Sequence, residues 1–187
     1  MKKSINFFLA IFSITLLAFK PVPTKLVSKS GHISFFSHTA VEDITANNYK
    51  VTSTIETTTG DVVFSVPMQS FEFEKSLMQE HYNSKDFLNT KAFPKAKFTG
   101  KITNLNEIDF AKDGTYNATV TGDLTIKETT KPITSKGTVT VKGGVITSET
   151  KFNLILADYA IMFKKGKPST NIAKEIEITV HAEHQPE

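Results

Sequence analysis

Cysteine, tryptophan and arginine are all missing from this chain of 187 residues. Without cysteine it can be neither a thiol enzyme nor a disulfide-stapled scaffold, and it offers no cysteine for lipid attachment. Stability must therefore come from burial alone. Without arginine, lysine supplies all 22 positive charges against 19 acidic residues. A formal charge of +3 with no guanidinium and no lysine-rich face argues against nucleic acid, which calls for clustered cations and bidentate contacts. Hydrolytic motifs are lacking too: there is no G-x-S-x-G elbow and no paired carboxylates set across a cleft.

Long hydrophobic runs are scarce as well. The single one spans residues 5–19, broken only by small polar residues, and falls short of the ~20 residues a spanning helix needs. Lys2 and Lys3 precede it, so the layout is that of a secretory leader with a cationic start and a short apolar middle. The reading is a signal peptide over 1–18, with Leu16 and Ala18 as the nearest approach to a small-residue cleavage site. A linker over 19–29, a domain over 30–183 and a tail over 184–187 follow. Such a protein is exported, to the periplasm or the medium, with no stable membrane insertion once the leader is removed. The leader's two lysines leave with it, which brings the mature chain close to neutrality.

Metal ligation finds little support. His181 and His184 flank a carboxylate in H-A-E-H, but they follow a strand-like run, where residues three apart point to opposite faces. His32 and His38 share a parity but lie too far apart to hold one ion.

What the chain does have is alternation. Ile33, Phe35 and Ser37 recur two apart, as do Tyr49, Val51, Ser53 and Ile55. Phe64, Val66 and Met68 hold one parity, and Phe71 and Phe73 hold the other after a slip at Gln69-Ser70. Tyr116 to Ile126 gives one long strand, and Ile133 to Val141, Phe152 to Leu156 and Ile176 to Val180 give three more. Threonine is frequent on the polar face, as in half-buried antiparallel strands. Thr59-Gly60-Asp61, Lys112-Asp113-Gly114 and Lys142-Gly143-Gly144 fit hairpin turns, and Thr130-Lys131-Pro132 fits a loop that stops a ladder. The result is an all-β antiparallel barrel of about eight strands, since closure removes exposed edges.

One segment breaks this rhythm. Leu77, Met78, His81 and Tyr82 have helical spacing, which predicts one short helical connection around residues 75–83, capped by Glu74 or Ser76. Beyond it Phe93-Pro94 returns the chain to extended structure. Asp86 would tie this loop through local amides.

Three stretches carry a family resemblance. E-H-Y-N-S-K-D-F-L-N-T-K-A-F-P-K-A-K-F-T-G (80–100) resembles the connection of the YceI-like family, with His81, Asp86, Phe87, Phe93, Pro94 and Phe98 at its matching positions. V-T-G-D-L-T-I-K-E-T-T-K-P-I (120–133) resembles a hairpin of that family, and L-A-D-Y-A-I (156–161) resembles, more weakly, the segment before its last strand. The match runs over roughly residues 30–183. The chain departs from the pattern in lacking its arginines, with Leu156 at one of those places, and in carrying Ala160 where glycine is usual.

The resemblance implies a lipocalin-like barrel around an elongated apolar cavity that takes a polyisoprenoid or similar lipid. Barrel geometry alone leaves open whether the 15 phenylalanines line a cavity or pack a solid core. Parity assigns Phe35, Phe64, Val66, Phe73 and Phe98 to the inner wall, together with Leu124, Ile126, Phe152 and Leu154. Leu77, Met78, His81, Phe87, Phe93 and Tyr159 would form the mouth, with Tyr159 read first as a strand-end anchor beside Asp158. The reading is a monomeric or homodimeric binding protein for a long apolar ligand, with no catalytic residue, metal or cofactor beyond a bound isoprenoid lipid or quinone. An exported barrel that binds a protein partner, or a hydrolase or isomerase using His81, are the alternatives.

Overall fold

The computed structural model describes residues 24–162 and 173–187; the leader expected over 1–18 lies outside them. Among the described residues nine strands form one antiparallel sheet: β1 Lys25–His38, β2 Asp43–Glu56, β3 Asp61–Pro67, β4 Glu72–Phe73, β5 Lys95–Ile102, β6 Gly114–Ile126, β7 Thr129–Lys142, β8 Val145–Ile155 and β9 Glu175–Pro186. Eight of them close a barrel in the order β1-β2-β3-β5-β6-β7-β8-β9, because β1 pairs with both β2 and β9. The two-residue β4 lies outside that ring, on β2. The helix α1 spans Ser76–Asn83. Among the described residues no helix is long and apolar enough to cross a membrane.

The alternation seen in the sequence becomes the two faces of this sheet. On the outer face of the β6–β7 hairpin, threonines oppose one another as Thr115–Thr140, Thr121–Thr134 and Thr125–Thr130, with hydroxyls 2.9–3.1 Å apart. Each such cross-strand pair contributes ~0.2–1 kcal/mol. Two compensating register shifts mark β1 and β2. β1 has its extra residue between Ser28 and Gly31, and β2 has its own between Asn48 and Val51. Together they restore the register while bending both strands.

Several expectations are corrected by this architecture. Tyr49 does not share the inward face with Val51 and Ser53: the β2 bulge turns it outward, where its ring stacks on His32 at 4.5 Å. The sequence Thr130-Lys131-Pro132 is not a loop. The turn is Lys127-Glu128, with Lys127 at φ +56°, and Pro132 sits in the ladder opposite Asp123. Pro132 is tolerated because β8 does not pair with this half of β7, so the missing N–H leaves no rung unmade. Neither Glu74 nor Ser76 caps α1; Lys75 occupies that position with no side-chain capping bond, its ammonium being paired with Glu42. The linker gives way to strand at Lys25, since Leu26 is fully buried. The supposed tail is also strand: β9 reaches Pro186, and His184 is sealed inside.

The barrel's two ends differ. At the lower end Leu26, Ile55, Ile102, Val141 and Ile146 pack together, joined by Leu105, Ile108 and Phe110 from the connection between β5 and β6. Asn104 fastens that plug: its Nδ2 donates to the Asn117 carbonyl at 3.0 Å, and its Oδ1 accepts from Thr119 N–H at 2.8 Å. The upper end is covered by α1 and the loop that follows it.

Candidate functional site: an apolar cavity

Inward positions from all eight barrel strands surround a cavity of about 610 Å³. That volume lies within the ~300–1,000 Å³ typical of small-molecule sites. All nine residues expected on the inner wall line it, as do Leu77, Met78, His81 and Phe87 of the expected mouth. Two mouth residues do not. Phe93 falls outside the lining, turned back by the tight turn in which its N–H and that of Ala92 both donate to the Asn89 carbonyl. Tyr159 is buried rather than rim-exposed, since the 3-10 turn Leu156–Tyr159 folds it into the upper core. Burial, and then the charge of Asp158, raise its phenol above the ordinary value.

The wall is aromatic near the mouth. Phe35 meets Phe71 and Phe73 at ring distances of 5.5 and 5.7 Å, and Tyr82 lies 5.0 Å from Phe73 and 5.6 Å from Phe71. Tilted and edge contacts of this kind add ~0.5–1.5 kcal/mol per pair beyond area burial. Phe71 reaches this cluster because the 3-10 turn Met68–Ser70 reverses the parity of the strand before it. Tyr82 is buried, which pushes its phenol well above the usual range and keeps it neutral; its hydroxyl points to Met68 Sδ at 4.0 Å.

Deeper in, Phe64 and Phe98 oppose each other on β3 and β5. The Phe98 ring lies over Gly100 and Gly122, which face each other across β5 and β6. A Cβ added at Gly122 would stand 2.3 Å from the Gly100 Cα and 2.8 Å from the Phe98 ring. The glycine pair thus gives that ring room to lie along the wall instead of across the cavity.

The mouth loop is held by its own polar groups. Thr90 donates to Asn83 Oδ1 at 2.6 Å, Asn83 Nδ2 donates to the Gln79 carbonyl at 2.9 Å, and Asn89 N–H donates to Ser84 at 2.8 Å. Asp86 makes no such bond among the described residues and is exposed, so Asn83 and Thr90 do the fastening expected of it. From the barrel, Lys127 Nζ donates to the Phe87 carbonyl at 3.1 Å and anchors the loop to the β6–β7 turn. His81 is exposed on the rim, with its main-chain carbonyl engaged by Ser84.

Sequence reasoning missed part of the lining. Ile33, Ile176 and Ile178 had the right parity and could have been chosen. Tyr82 had the helical spacing, while Leu88, buried at 4% exposure, lies in irregular chain where no periodicity points inward. Among the described residues no cluster of three or more histidine, aspartate or glutamate side chains is placed to hold a metal.

Comparison with known proteins fits this geometry. The YceI-like domain model matches residues 25–184. A UPF0312 protein of Shewanella denitrificans is 29% identical over 126 residues, 63% of this chain and 61% of the relative. A UPF0312 protein of Pseudomonas putida is 39% identical over 64 residues, 34% of this chain and 30% of the relative. The chain thus matches less than two thirds of the length of either relative. Among solved structures, BcnA of Burkholderia cenocepacia superposes with a TM-score of 0.68 at 21% identity, covering 82% of this chain and 95% of that one. A polyisoprenoid binding domain from Saccharophagus degradans, implicated in plant cell wall breakdown, gives 0.72 at 11% identity, covering 88% and 99%. At such identities the likeness shows the fold.

Proposed function

The chain belongs to the YceI-like family, and we propose that it holds a long apolar ligand in its barrel, as a carrier or store, and performs no chemistry on it. The ligand is a polyisoprenoid, a prenyl quinone or a fatty-acid-like lipid. The protein acts outside the cytoplasm, in the periplasm or the medium, as a monomer or homodimer. One observation carries this reading: the barrel holds a large apolar cavity, and among the described residues its upper end is closed by a short helix, a loop and the 3-10 turn Leu156–Tyr159 and not by a strand. A tail laid there gains ~25 cal/mol per Å² of apolar surface removed from water, without precise polar recognition. The fold shared with a polyisoprenoid binding domain supports the same ligand class.

Native mass spectrometry and organic extraction of the purified protein test it. A co-purifying lipid, or stoichiometric uptake of a prenyl quinone, is the expected outcome; neither lipid nor uptake would sink the carrier. Phe98→Asp sets a carboxylate against the tail and should weaken uptake by ~4 kcal/mol, about a thousandfold, with the barrel's circular dichroism retained. Undiminished uptake by that folded variant would mean that no tail reaches Phe98.

A further inference from the structure

Along almost every strand the cavity touches every second residue, as an inner wall should. At one place it touches consecutive ones: Gly137, Thr138 and Val139 on β7, and Ser148, Glu149 and Thr150 on β8. There the ladder ends. β7 and β8 pair from Lys142↔Val145 to Gly137↔Thr150 and no further toward the mouth, where β7 pairs only with β6 and β8 only with β9. Gly137 allows the last rung, because a Cβ on it would lie 2.1 Å from the Glu149 carbonyl oxygen. Its missing side chain also bares the neighbouring backbone to the cavity. The polar groups of the lining follow the same division. Away from the mouth, with its Ser37, His81 and Tyr82, all the polar lining side chains among the described residues belong to this β7–β8 patch.

We propose that the patch formed by Ser135, Ser148 and Thr150 beside Gly137 is a head-group subsite for an uncharged, hydrogen-bond-donating head, such as an alcohol or amide, and that it discriminates against phosphate and carboxylate heads. The hydrogen-bond arithmetic gives the sign. Thr150 Oγ1 donates to the Lys136 carbonyl at 2.8 Å, so in its 2.6 Å contact with Ser135 the proton comes from Ser135. Ser135 Oγ is left with lone pairs and no proton to give. A ligand O–H or N–H completes it, whereas an anionic oxygen meets another acceptor. No lysine side chain lines the cavity among the described residues to compensate a buried anion. Lys136 and Lys151 stand at outward positions of their strands, and Lys151 pairs with Glu177 at 2.7 Å. The Glu149 carboxylate is likewise outside, accepting from His181 Nδ1 at 2.9 Å.

This inference rests on the carrier reading, and three probes with a common saturated branched tail separate the two: phytanol, phytanyl monophosphate and the hydrocarbon phytane. The full-length protein should bind the alcohol about tenfold more tightly than the monophosphate and about fivefold more tightly than the hydrocarbon. Ser135→Ala/Thr150→Val should bring the alcohol down to the hydrocarbon's affinity while leaving phytane unchanged. Equal binding of alcohol and monophosphate would overturn the subsite and leave the carrier standing. So would a double variant that weakens all three probes alike, since that is a structural effect. Failure of all three probes to bind the wild type would overturn the carrier and the subsite together.

Discussion

The two ends of the barrel are built from different materials. The lower end is largely aliphatic and, past the Ile55 and Ile102 that still line the cavity, filled: isoleucine, leucine and valine from six strands meet a plug that Asn104 staples in place. The upper end is aromatic and hollow, roofed by an eight-residue helix and a loop tied by side-chain hydrogen bonds. Branched aliphatics interdigitate to crystal-like density. Large flat rings held edge to face across a wide barrel do not, and leave space that a ligand tail can fill. Ile55 and Ile102 still face the cavity, whereas Leu26, Val141 and Ile146 do not, so the tightest packing lies beyond the space for binding.

The largest effect should come from loosening the filled end. Ile146 is 2% exposed, and Ile146→Ala removes atoms from a site with little room to collapse. A loss of about 4 kcal/mol in denaturant unfolding is expected, with prenyl-quinone uptake per folded molecule unchanged. If uptake falls while stability holds, the two ends are not separate and the contrast is wrong.

The lower end also holds a titratable group. His184 is wholly buried; its Nε2 lies 2.9 Å from Ser53 Oγ, and Ser28 sits beside Ser53 in the ladder. No charged side chain is paired with it among the described residues, and burial pushes its pKa from 6.5 down to about 4. Unfolded, the ring takes a proton through pH 6.5; folded, it resists until about pH 4. The unfolded chain binds more protons between these values. Stability is therefore complete above pH 6.5, falls as pH drops through the interval and levels off below about 4, by ~3 kcal/mol in all. His184→Gln should flatten that part of the curve relative to wild type. A variant with the same slope as wild type would show that carboxylates, not His184, set the acid limit.

How this contrast could be read from the chain depends on where side chains obey a period. Phe35, Phe64, Phe98 and Phe152 follow strict alternation, and their inward orientation was legible because strand geometry leaves no other choice. Tyr49 was misread because a bulge shifts parity by one, and the bulge arises from pairing with β1, which no local pattern encodes. Pro132 was misread because its tolerance depends on β8 leaving the ladder early. His184 falls in the expected tail because the local sequence has almost no apolar alternation; its burial comes from closure of β9 on β1. The hollow itself was legible only as a possibility, since the same rings could have met in a solid core.

The smallest effect belongs to the rim. Leu77 lines the cavity yet is 57% exposed, on a helix with no side-chain cap and few neighbours to lose. Leu77→Ser should change stability by no more than ~0.5 kcal/mol, the usual range for a surface site. Its apolar surface nonetheless stands exposed at the mouth, where a tail entering the proposed site would meet it. Stopped-flow uptake of a prenyl quinone should therefore slow several-fold, while the equilibrium dissociation constant moves less. The reverse pattern, an unchanged rate with a weaker constant, would place Leu77 against the bound tail and move the boundary between rim and wall outward by one helical turn.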